Sequence, residues 1–114
     1  MEKDLERRTK QFAVRVIDFV SKLPRSMTGD VLTRQLLRSA TSIGANYREA
    51  NRGVSRADFS NKIGTVQKEA AETQYWIELL IESKIGSEET VFAFLKESTE
   101  LLAIFTTIGK RLNE

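Results

Sequence analysis

The sequence predicts an all-α protein, an antiparallel up-down-up-down four-helix bundle, and three observations carry that reading. Apolar residues recur at helical spacing along nearly the whole chain, and no segment alternates as a half-buried strand does. Turn-forming residues break the pattern at three places, around Pro24, Gly53 and Gly86. The connections are short, and short connections between long helices favour antiparallel neighbours. With 114 residues, the chain is long enough for one domain with a real core, residues 1–114, and too short for two.

Helix one is expected from about residue 3 to 23, with Leu5, Phe12, Val16, Phe19 and Leu23 on one stripe. Pro24, the only proline, pushes Leu23 out of helical geometry and ends the helix. Helix two follows over about 30–52, with Thr28 expected as its N-cap and Gly53 as a left-handed residue after its end. Helix three, over about 56–84, opens on Ser55-Arg56-Ala57-Asp58, a capping-box pattern with Asp in place of Glu. Its stripe is Phe59, Ile63, Val66, Ala70, Thr73, Ile77 and Ile81, and Gly86 stops it. Helix four, over about 88–112, begins with Ser87-Glu88-Glu89, which sets carboxylates against the positive helix end. It packs through Val91, Phe94, Leu95, Leu101, Leu102, Phe105, Ile108 and Leu112.

Composition narrows the function. The chain is 40% hydrophobic and 30% charged, as soluble globular proteins are. No apolar run reaches transmembrane length, and the mixed-charge N-terminus lacks the apolar stretch of a signal peptide. A cytoplasmic protein without membrane association is expected. There is no cysteine and no histidine, which removes disulfides, thiolate chemistry, His-ligated metals and His-based acid–base catalysis. No Gly-rich phosphate loop is present. Carboxylate pairs such as Glu69/Glu72 and Glu88/Glu89 suit Mg²⁺ in principle, but read first as solvated helix charges. We expect no enzyme, no catalytic residue, no cofactor and no metal.

Charge is unevenly distributed. Residues 1–29 carry seven basic and four acidic side chains, and residues 30–56 five and two. Residues 57–84 and 85–114 each carry three basic and five acidic. A basic first half and an acidic second half suit head-to-tail contacts between subunits, or a basic surface for nucleic acid.

Helix two is the most informative element. At 3.6 residues per turn, Leu32, Leu36, Ala40, Ile43, Tyr47 and Ala50 fall within ~80° of one another. Arg34, Arg38, Arg48, Arg52 and, by extension, Arg56 gather opposite them. The planar guanidinium fork suits phosphate, so these five are the candidate RNA or DNA contacts. The alternative is a solvated face, or ion pairs between subunits to Glu69, Glu72, Glu78 and Glu82. Between the two faces runs a polar edge of Gln35, Ser39, Ser42, Asn46 and Glu49, expected to hydrogen-bond to a neighbouring helix or subunit. Gly44 costs about 1 kcal/mol relative to Ala inside a helix, and close approach of a neighbour is the expected compensation.

Large apolar residues remain once the core is assigned. Val14 and Ile17 lie off the helix-one stripe; Tyr75 and Leu79 lie opposite Ile77, with Trp76 on the flank. Aromatic residues are enriched at interfaces, so these five are the candidate oligomer interface.

Gln35-Leu36, Arg38-Ser39-Ala40, Ser42-Ile43, Asn46 and Glu49-Ala50, followed by Asp58-Phe59, together resemble the four-helix bundle proteins encoded in intervening sequences of 23S ribosomal RNA genes. The run from Lys68 through Tyr75-Trp76 to Leu80 is similar to the helix-three signature of one branch, and the likeness spans about Phe12 to Leu112. The resemblance implies a homopentameric ring and no enzymatic activity. Related proteins include the accessory variability determinant of diversity-generating retroelements, which works with a reverse transcriptase and nucleic acid. The function expected is therefore that of a non-enzymatic homo-oligomer, binding nucleic acid through the arginine face or docking a protein partner without it.

Overall fold

In the computed structural model, residues 2–113 are described, with side chains from residue 4 onward; Met1 and Glu114 lie outside the described residues. The elements are α1 (Glu2–Lys22), α2 (Met27–Asn51), α3 (Arg56–Glu82) and α4 (Glu88–Leu112). Among the described residues no strand occurs. Each sequence stripe becomes a buried face. Phe12 and Val16 from α1 meet Leu36, Ala40, Ile43, Tyr47 and Ala50 from α2, Ile63, Val66, Ala70, Ile77 and Leu80 from α3, and Val91, Phe94, Leu101 and Phe105 from α4. Aromatic rings stack edge to face along this core: Phe94 against Phe12 and Phe19, and Tyr47 against Phe105 with centroids 5.1 Å apart.

Cross-helix pairs show the direction of each neighbour. Ser39 meets Thr73 while Glu49 meets Lys62, so α2 and α3 run antiparallel. Gln67 reaches the Phe105 carbonyl while Gln74 reaches Thr99, so α3 and α4 do too. Helix α1 packs on α2 and, more lightly, on α4, and its backbone lies across the core from that of α3. The result is the antiparallel bundle the periodicity predicts, 44 Å long.

The helix ends differ from expectation in instructive ways. Helix α2 starts three residues early, because the N-cap is Ser26 and not Thr28: the Ser26 hydroxyl accepts from the Gly29 amide at 3.0 Å. At Gly53 the backbone is not left-handed. Glycine relieves crowding there, since a Cβ would stand 3.1 Å from that of Asp58. The left-handed positions are instead Lys84 (φ 57°) and Gly86 (φ 84°). Lys84 closes α3 at Glu82, its amide bonding the Ile81 carbonyl and the Ile85 amide bonding that of Leu80. A Cβ on Gly86 would sit 2.5 Å from the Phe19 ring, so this turn lets α1 close over the end of α4. At the start of α3, Ser55 caps the Asp58 amide, and the shorter Asp58 carboxylate returns to the Val54 amide, one residue outside the usual box. Ser87 occupies the α4 N-cap without a side-chain bond, leaving Glu88 and Glu89 to complement the helix end.

Gly44 finds its compensation inside the chain. A Cβ there would lie 3.1 Å from Thr9 Oγ1 and 3.3 Å from its Cβ, so the glycine lets α1 and α2 approach closely.

Candidate functional site

The helical repeat puts the α2 arginines on one side, but their side chains diverge to different neighbours. Arg38 turns to α3, where it bonds Glu69 at 3.3 Å and forms a second ion pair with Glu72. Glu72 also accepts from the Trp76 indole N–H at 3.1 Å. That indole bond, with the Arg38 guanidinium behind it, holds the Glu72 carboxyl below the usual carboxylate range. Arg48 and Arg52 turn to α1 and share one carboxylate, Glu6, at 3.7 and 3.9 Å. Glu6 accepts as well from Asn51 Nδ2 at 2.9 Å. Arg34 is exposed and makes no ion pair among the described residues. Arg56 is the first residue of α3 and not a continuation of the α2 face; it donates to the Leu112 carbonyl at 2.8 Å and so caps the end of α4. Four of the five thus tie helices together, Arg48 and Arg52 only through long contacts to a shared carboxylate, and Arg34 alone of the five makes no such link.

The polar edge of α2 faces α3. Thr73 Oγ1 donates to Ser39 Oγ at 2.9 Å, both groups buried, and Glu49 pairs with Lys62 at 3.3 Å. Ser42 and Asn46, expected to bridge between helices, instead turn back to carbonyls of their own helix, those of Arg38 at 2.6 Å and Ser42 at 2.8 Å. Their short side chains reach the carbonyl one turn back more readily than a neighbouring helix. Gln35 is half-buried on the same edge.

The left-over apolar residues lie on faces that point away from each other. Val14 (56% exposed) and Ile17 (45%) are on the outer face of α1, and Tyr75 (53%) on that of α3. Leu79 is half-buried one turn beyond Tyr75. Trp76 is more committed than its neighbours: it packs on the core and holds Tyr75 in edge-to-face contact, centroids 5.1 Å apart. Sequence reasoning missed Phe92 on α4 and Val31 on α2, both about half exposed; their position off the stripes was the available signal.

A groove of about 890 Å³ opens between α1 and α2 near the start of α3. Its floor is Thr9, Ala13, Thr41, Gly44 and Ala45, and Lys10, Arg48, Arg52 and Lys62 stand around it. Among the described residues no cluster of acidic side chains suited to a metal ion occurs, and Glu69 and Glu72 are occupied by Arg38. Among the described residues, no helix is long and apolar enough to cross a membrane.

Fold and surface together define a small all-α bundle in which several charged side chains tie the helices to one another. The chain belongs to the 23S rRNA-intervening sequence protein family, whose model matches residues 2–107. It is similar to a protein of unknown function from the S23 ribosomal protein family of Bacteroides thetaiotaomicron, whose crystal structure was solved at 1.70 Å. The two are 41% identical, with a TM-score of 0.84, over 92% of this chain and 97% of the other. No curated protein matches this sequence.

Proposed function

We propose that the protein is a non-enzymatic assembly unit, copies of which associate head to tail into a homo-oligomer. One observation carries the reading: half-exposed large apolar side chains stand on α1 (Val14, Ile17) and on α3 (Tyr75), two helices whose backbones are not neighbours in the bundle. A contact between two different faces repeats from copy to copy and closes into a ring when the rotation fits; the homopentamer implied by the family likeness is such a ring. Trp76 and Leu79 extend the α3 face. Replacing Val14 and Ile17 together by Asp adds charge to a surface already in solvent, so helix content should persist while the solution mass falls to that of one chain, 13.0 kDa. An unchanged mass would refute the use of this face.

A second reading is nucleic-acid contact through Arg34, Arg48 and Arg52. It is favoured by the long shared contacts of Arg48 and Arg52 to Glu6, which leave guanidinium donors open, and by the unpaired Arg34. Arg38 and Arg56 contribute little, being engaged within the chain. Binding of this kind weakens steeply with salt. RNA or DNA affinity that is insensitive to salt, or to replacing all three arginines by Ala, would eliminate it and leave the protein-scaffold alternative.

A further inference from the structure

We infer that the groove between α1 and α2 receives the Tyr75/Leu79 face of α3 from a second copy of this chain. The inference rests on the head-to-tail association proposed above and gives that contact its receiving surface.

The groove exists because, outside the core, the floor between α1 and α2 is built of residues no larger than threonine. Gly44 sits under Thr9, and Ala13, Thr41 and Ala45 continue the floor outward. Ile17 follows Ala13 by one turn along the same edge of α1 and is half exposed, so the floor runs on into apolar surface. A volume of about 890 Å³ is in the range that accommodates sizeable inserted groups.

Charge selects the occupant. The surrounding cations are Lys10, Arg48, Arg52 and Lys62, and Lys10 has no ion pair among the described residues. On the α3 face, Tyr75 and Leu79 stand one turn apart, and Glu78 and Glu82 follow each by three residues; the two glutamates are exposed, Tyr75 is half exposed and Leu79 half-buried. An aromatic–aliphatic pair flanked by carboxylates thus faces small residues flanked by cations. Glu6 and Glu49 in the same walls pair with Arg48, Arg52 and Lys62, and Asp58 stands beside them. Lys10 and the spare guanidinium donors therefore suffice for two carboxylates but give too little net charge for a polyanion. The groove and the α3 face belong to different sides of the bundle, so one copy can give and receive at once.

The test uses two variants of the full chain, followed by sedimentation. Ala45→Trp fills the groove from an exposed position, and Tyr75→Ala with Leu79→Asp disables the inserted face. Each alone should sediment as a 13.0 kDa monomer with wild-type helix content. Mixed in equal amounts they should form one-to-one dimers and nothing larger, since one intact groove and one intact face remain. Wild-type assembly by Ala45→Trp, or a mixture that stays monomeric, would overturn the inference while leaving self-association standing. A wild-type chain that is itself monomeric would overturn the association proposal first. Should Ala45→Trp fail to fold, Lys10→Glu carries the test: self-association should weaken about tenfold, and unchanged association would count against the groove. RNA retained by a monomeric wild type and released by Lys10→Glu would assign the groove to a polyanion instead.

Discussion

Gly44 and Gly64 provide a matched pair of substitutions that measures how closely α1 and α2 approach. Both lie inside long helices, so Ala at either position gains about 1 kcal/mol of helix propensity. The loss of unfolded-chain entropy is the same for both. Their surroundings differ. A Cβ at Gly64 meets nothing within 4 Å, whereas at Gly44 it meets the Thr9 side chain at 3.1 and 3.3 Å. Thr9 is buried, and its hydroxyl is held by the Leu5 carbonyl at 2.8 Å, so it yields only by straining α1. Overpacking of this kind costs about 1–3 kcal/mol. Gly64→Ala should therefore stabilise the protein by about 1 kcal/mol, raising Tm by roughly 4 °C for a chain of this size. Gly44→Ala should be neutral to destabilising by about 2 kcal/mol, the propensity gain being offset by the clash. Urea and thermal melts followed by circular dichroism, at one protein concentration so that assembly contributes equally, give the difference directly. Equal stabilisation by both substitutions would refute the close α1–α2 approach and with it the origin of the groove.

Two further outcomes follow from the charged links. Arg8 joins α1 to α4 through Glu97 (2.7 Å) and Glu100 (2.8 Å) across the most lightly packed seam of the bundle; Arg8→Ala should cost about 1 kcal/mol, with faster amide exchange in α1, and unchanged exchange would show that the aromatic contacts of Phe94 suffice. The Glu72 carboxyl is held below its usual range by Trp76 and Arg38, so its contribution to stability is complete above the unfolded-chain value of about 4.3 and is lost as pH falls through the lowered folded value. Glu72→Gln should accordingly flatten the acid limb of the stability–pH curve, and an unaltered limb would contradict the assignment.

Much of this molecule is legible in its sequence, and the exceptions share a cause. Helical periodicity marks Leu36, Ile43, Val66, Ile77 and Leu101 as core because burial acts on whole faces. Helix ends depend on single bonds, so Ser26 displaces Thr28 once its hydroxyl reaches Gly29, and left-handed backbone falls at Lys84 after α3 and not at Gly53 after α2. The arginine face shows the same limit at the candidate site. Angular position places Arg38 and Arg52 on one side of the α2 axis, but flexible side chains take the carboxylate within reach, Glu72 for one and Glu6 for the other. Those carboxylates come from other helices, at separations periodicity does not encode. The exposed apolar residues Val14, Ile17 and Tyr75 are readable because they violate the stripe of their own helix.

The head-to-tail assembly is tested most directly by the mass of the wild-type chain in solution, measured by light scattering over a range of concentrations. The account predicts a discrete multiple of 13.0 kDa, fivefold for a closed pentameric ring, that persists on dilution. A mass of one chain at every concentration would contradict it.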